Sequence, residues 1–170
     1  MYNVPTSVKT NYIPKKKNKI IPIIVLLLSI VLFTTALYYI KIFNTHGHSM
    51  QPTINDNSYV ICVKSTNIEV GDIVAFKSRG ETKIKRVIAI SNDKVDITKE
   101  GKVFVNDREI KEEYLVSTDR GKIEIPLPHT VSNGRVFVLG DNRSNSLDSR
   151  HNNIGDIKIA EIICEVKIVL

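Results

Sequence analysis

Three separated stretches carry residues whose types and spacing could do chemistry. In GHSMQPT (47–53) Ser49 stands between His48 and Met50. A serine hydroxyl is a poor nucleophile until a base takes its proton, so the question is which base serves it. In an extended segment adjacent side chains point to opposite faces, which places His48 badly and leaves His46 on the serine's face. His129 and His151 lie in polar, turn-like contexts and read as surface residues. In KIKRVIAI (83–90) alternation puts Lys85 with Val87 and Ala89, and Ile84, Arg86, Ile88 and Ile90 on the other face. Burial among such neighbours disfavours an ammonium and lowers a lysine pKa from about 10.4. Only the neutral amine can act as a general base. The strand alone also fits a lysine whose stem runs along an edge to solvent. A buried Arg86 would need an acid partner. In GDNRSNSLDSR (140–150) Asp141, Arg143, Ser146, Asp148 and Arg150 crowd one polar loop. That is either a hydrogen-bonded network or a solvated loop whose Asp and Asn favour turns.

These stretches need elements to hold them. YVICV (59–63), DIVAFK (72–77), KIKRVIAI and RVFVLG (135–140) are short β-branched runs punctuated by Gly71-Asp72, Arg79-Gly80 and Asn92-Asp93. KVDITKEGKVFVNDREI (94–110) predicts a meander of three strands turning at Glu100-Gly101 and Asn106-Asp107. KIEIPLP (122–128) predicts an edge strand ended by its prolines, and the tail DIKIAEIICEVKIVL (156–170) is mostly β-branched. No stretch beyond residue 40 sustains a 3.6-residue period, so an all-β domain of antiparallel, barrel-like sheet is expected. With 42% hydrophobic and 25% charged residues the chain can bury a core. Cys62 and Cys164 sit in apolar runs with no redox or zinc spacing. Outside a cell the two could pair; two buried thiols are favoured over that bond, and no metal or cofactor enters this reading.

Residues 20–40, IIPIIVLLLSIVLFTTALYYI, run without a charge. As a helix they span about 31 Å, enough for a bilayer core, with Pro22 in the first turn and Tyr38 and Tyr39 suited to an interface. The run exceeds a typical signal-peptide core and no small-x-small site follows it, so a retained anchor is expected. Five lysines and no acid lie in residues 1–19, whereas from Lys41 onward 19 basic residues face 18 acids. The net charge of +6 therefore belongs to the tail, and no nucleic-acid partner is expected. The organisation predicted is a basic cytoplasmic tail (1–19), a transmembrane anchor (20–40) and an extracytoplasmic domain (41–170). This is the orientation of the positive-inside rule, with the lipid bilayer as a partner.

The anchor, GHSMQPTI, VGDIVAFK, IKRVIAI and VFVLGDNRSNSLDSR, in that order, resemble the bacterial type I signal peptidases of peptidase family S26. They resemble the compact Gram-positive form, with one anchor and no large insertion. The resemblance implies a membrane-bound serine endopeptidase that removes signal peptides from exported preproteins. It implies Ser49 as nucleophile, Lys85 as general base and Ser146 as the residue orienting the amine. Asp141, Asp148, Arg143 and Arg150 would form an ionic network, with Arg86 on Asp141. Met50 and Ile84 would line shallow pockets for small side chains. The lysine also separates the chain from the endoplasmic-reticulum and archaeal type, which carries histidine there. Two departures stand out. The glycines that commonly follow the lysine box are replaced in VIAISND, and Gly47 occupies the place where some members carry a hydroxyl supporting the oxyanion. Other expectations are a self-cleaving Ser-Lys regulator, against which the anchor argues, and an inert anchored binding domain, against which Ser49 and Lys85 argue.

Overall fold

The computed structural model describes residues 20–170, so the predicted basic tail lies outside the described residues. The chain divides after residue 36 into two compact units. Ile20–Tyr39 form one helix, α1, of 20 residues with no buried side chain. Its apolar side chains lie on every side, and it is long and apolar enough to cross a membrane. Ile40, expected to end the anchor, instead opens a strand that the sequence reading did not separate from it.

The strands are β1 (Ile40–Asn44), β2 (Tyr59–Val63), β3 (Ile73–Ser78), β4 (Glu81–Ile90), β5 (Lys94–Ile97), β6 (Val103–Val105), β7 (Arg108–Glu109), β8 (His129–Thr130), β9 (Arg135–Leu139), β10 (Ile157–Lys158) and β11 (Ile162–Val169). They form two antiparallel sheets, ordered β1-β2-β11-β3-β4-β9-β10 and β7-β6-β5-β8. The meander turns through Asn106 and Asp107 at φ 51° and 64°, the left-handed pair that a tight hairpin needs. The segment 122–128 is not a strand. Pro126 and Pro128 cannot donate to a ladder, and the amides of Glu124 and Ile125 donate instead to the Arg150 carbonyl. The tail is likewise broken, with a short 3₁₀ turn, Ile159–Glu161, between β10 and β11.

β4 and β9 carry the site at one end of their antiparallel pairing, where Arg86 faces Leu139 and Val87 faces Val138. The register then shifts, so that Ala89 faces Phe137. This bulge breaks the simple alternation. Val87 packs with Val74, Phe76 and Val136, while the consecutive Ile88 and Ala89 both enter a second core with Val95, Val131 and Phe137.

Cys62 and Cys164 are joined in a disulfide, which corrects the expectation of free thiols. The physical reason is sheet order. The C-terminal strand β11 returns to lie between β2 and β3, bringing the two α-carbons to 5.6 Å across 102 residues of sequence.

Candidate active site

Ser49 sits in the turn-rich connection between β1 and β2 and not in extended chain. Buried Met50 and Ile54 pin this connection to Val60 from below. The Ile54 amide donates to Met50 O at 2.9 Å, and the Gly47 amide donates to Asp56 Oδ1 at 2.8 Å. Gly47 adopts φ +96° with open space where a β-carbon would stand. Strand alternation therefore does not govern this segment. His48 is exposed, and His46 is exposed on the wall of the neighbouring cavity. His129 is half-buried, with Nε2 2.8 Å from Asp156, and His151 is half-buried beside Asp148, so neither is the free surface residue expected.

Ser49 Oγ and Lys85 Nζ lie 2.7 Å apart. Lys85 projects from the face of β4 that also carries Val87, opposite Val74 of β3, and is 4% exposed. Its amine also donates to the Ile84 carbonyl at 2.8 Å. Burial pushes the Lys85 pKa down to about 8, with the Lys83 and Arg150 charges adding to the fall and the Asp148 and Asp141 carboxylates opposing it. A substantial neutral fraction at mildly alkaline pH is what proton abstraction from a hydroxyl requires.

The loop after β9 closes the other side. The Asn142 amide donates to the Ser49 carbonyl at 3.0 Å, tying the serine turn to the polar loop. Arg86 grips Asp141 with two bonds, Nε to Oδ1 at 2.9 Å and Nη2 to Oδ2 at 2.7 Å. Thr53 Oγ1 donates to the same carboxylate at 2.5 Å. Asp148 and Arg150 form a second two-point pair, both bonds 2.8 Å, and Asp148 accepts the Gly140 amide at 3.0 Å. Burial alone would raise the Asp148 carboxyl, but the Arg150 guanidinium outweighs it and holds it below the usual carboxylate range. Arg143 donates from Nε to the Gly140 carbonyl at 3.0 Å and ion-pairs with Glu112. Ser146 Oγ is buried against Gly140, without a hydrogen-bond partner among the described residues.

Sequence reasoning missed Glu112, Tyr114 and Thr53. The Arg86 guanidinium stacks 3.9 Å over the Tyr114 ring, and the Tyr114 hydroxyl donates to Glu112 at 2.7 Å. These two residues come from an irregular segment with no period to mark it. The one available signal was the surplus of buried arginines awaiting acids.

A cavity of about 450 Å³ opens beside the pair, walled by Phe43–Gly47 on one side and Glu81–Lys85 on the other, with Ser49, Met50 and Ile54 at its end. β9 pairs with β4 only from Arg86 onward, so the 81–85 edge of β4 facing the cavity has free backbone groups.

A family model described as "Signal peptidase, peptidase S26" matches residues 17–170. Signal peptidase I U of Bacillus subtilis (strain 168) is 33% identical over 156 residues, 81% of this chain and 81% of that protein. A signal peptidase I of Bacillus amyloliquefaciens is 36% identical over 138 residues, 72% of this chain and 69% of that protein. Among solved structures, a signal peptidase I from Enterococcus faecalis V583 superposes with a TM-score of 0.52 at 29% identity, covering 59% of this chain and 97% of that one. With residues 17–170 matched by the family model and a relative 33% identical over 81% of the chain, the chain belongs to the signal peptidase family, peptidase S26.

Proposed function

We propose that this signal peptidase cleaves preproteins through a Ser49–Lys85 dyad and an acyl-enzyme. The observation that carries the proposal is the 2.7 Å contact between Ser49 Oγ and a buried Lys85 amine. The Ser49 hydroxyl donates its proton to neutral Lys85 as Oγ attacks the scissile carbonyl. The resulting ammonium gives a proton to the departing amine, which leaves an ester on Ser49. Lys85, neutral again, takes a proton from a water that attacks the ester and frees the serine. The Ser49 amide would serve as a donor to the oxyanion; the Gly47 amide is already spent on Asp56. The Arg86, Asp141, Arg143, Asp148 and Arg150 pairs would fix the loop behind the dyad, and Ser146, whose Oγ bonds no described residue, would orient the amine only by turning toward it.

The substrate enters as an extended segment along the open edge of β4, adding a strand there. Met50 and Ile84 give the adjoining cavity an apolar lining suited to small side chains. With the lysine tail cytoplasmic and residues 41–170 outside, enzyme and preprotein share one membrane, which raises their effective concentration. The test is processing of a preprotein by full-length chain in proteoliposomes. Ser49→Ala and Lys85→Ala should each abolish processing while leaving the fold intact. Wild-type rates in either variant would rule the dyad out.

A further inference from the structure

Lys85 is not the only lysine in the cleft. Lys83 lies two residues earlier on β4, so both side chains leave one face of the strand. Their partners on β3, Phe76 and Val74, are apolar, and that strand brings no charge to either amine on this face. Lys83 walls the same cavity with a side chain only 17% exposed, and its Nζ lies 3.1 Å from Glu81 Oε2, whose side chain is 75% exposed. The open edge of β4 thus carries a row of Glu81, Lys83 and Lys85.

The other charges facing Lys85 come mostly in neutralised pairs. Asp148 and Asp141, both in the loop after β9, are gripped by Arg150 and by Arg86 of β4, and His46 stands on the far wall of the cavity. Lys83 differs, because its counter-charge sits largely in water, where screening is strong. We propose that Lys83, moderated by Glu81, is a positioning residue that lowers further the pH at which the buried Lys85 becomes a free base. This inference rests on the dyad reading above. The direction is physical: the two positions lie about 7 Å apart along the strand, and a second cation on the same face disfavours the ammonium form of Lys85. The lowering influence of Lys83 on Lys85 agrees with it.

The test is the pH dependence of kcat/KM for full-length enzyme in detergent. The substrate is an internally quenched, end-capped peptide with a small-x-small site and no ionisable side chain. The midpoint of the alkaline rise reports the free-enzyme base whatever the plateau. Lys83→Met should move that midpoint up by about half to one pH unit, and Lys83→Arg should restore it. Glu81→Gln, at an exposed position, should move it down, and the Glu81→Gln/Lys83→Met double variant should fall between the two. The shifts should shrink in molar salt. Coincident midpoints in wild type, Lys83→Met and Glu81→Gln, with Lys85→Ala inactive, would refute the tuning role and leave the dyad standing. An active Lys85→Ala would overturn the dyad, and this proposal with it. Should Lys83→Met fail to fold, the downward shift in Glu81→Gln decides.

Discussion

Arg86 and Asp141 meet in a two-point ion pair, at 2.9 and 2.7 Å, with side chains 12% and 1% exposed. The next residue, Asn142, holds the Ser49 carbonyl, so the pair anchors the serine turn as well as the loop. Removing one partner leaves a buried charge uncompensated, which costs about 3–5 kcal/mol, whereas removing both costs less. Arg86→Met and Asp141→Asn should therefore each lower the urea midpoint and slow processing. The double variant should be more stable than the sum of the two losses predicts. Additive losses in a double-mutant cycle would deny the coupling.

Lys85 trades stability for reactivity. Its folded pKa, about 8, lies below the ordinary 10.5, so between these values the unfolded chain holds a proton that the folded chain lacks. Stability should rise with pH across that window, by about 3 kcal/mol in all, and the penalty should be fully present below pH 8. Lys85→Met should remove this slope and raise the melting temperature at neutral pH while abolishing activity. A wild-type stability that stays flat from pH 8 to 10 would contradict a desolvated amine.

Much of the frame was legible because its signals are local. The runs at 59–63 and 135–139 and the turn at Asn106-Asp107 follow from β-branching and turn chemistry, and the helix follows from an uncharged stretch. Position 85 could be singled out because alternation placed a lysine among small apolar residues. What failed was non-local. The β2–β11 approach that brings Cys62 to Cys164 depends on strand order, which no short window contains. The pairing of Arg86 with Tyr114 and of Arg143 with Glu112 depends on an aperiodic segment folding back under the site. The extended reading of 47–53 failed because Gly47, at positive φ, and the buried Met50 and Ile54 curl the chain into a turn.

The disulfide bears on the cleft as well as on the fold. Cys62 and Cys164 pack against Phe43 and Ile84, two residues of the cavity wall. Closing a loop of this length restricts the unfolded chain by about 4.7 kcal/mol in the chain-entropy account. Cys62→Ala/Cys164→Ala should lower stability by about 2–4 kcal/mol. Alkylation of the unreduced, denatured protein should add no mass. Two alkyl groups added without reductant would show that the bridge is not formed.

Gly140 is the point where the two halves of the site touch. A β-carbon there would stand 2.6 Å from both the Ser146 β-carbon and the Ser49 carbonyl oxygen, so both must give way. The Gly140 amide and carbonyl are both committed, to Asp148 and Arg143 at 3.0 Å, so its own backbone cannot yield easily. Gly140→Ala should therefore displace both the serine turn and the Ser146 side chain by a few tenths of an ångström or more. Misplacement on the ångström scale costs about 100-fold in rate. The expected result is a fall of that order in kcat with circular dichroism unchanged. Ser146→Ala added to it should relieve part of the crowding but not the clash with Ser49. Wild-type turnover in Gly140→Ala would mean that the loop and the serine turn are not held at this spacing during catalysis.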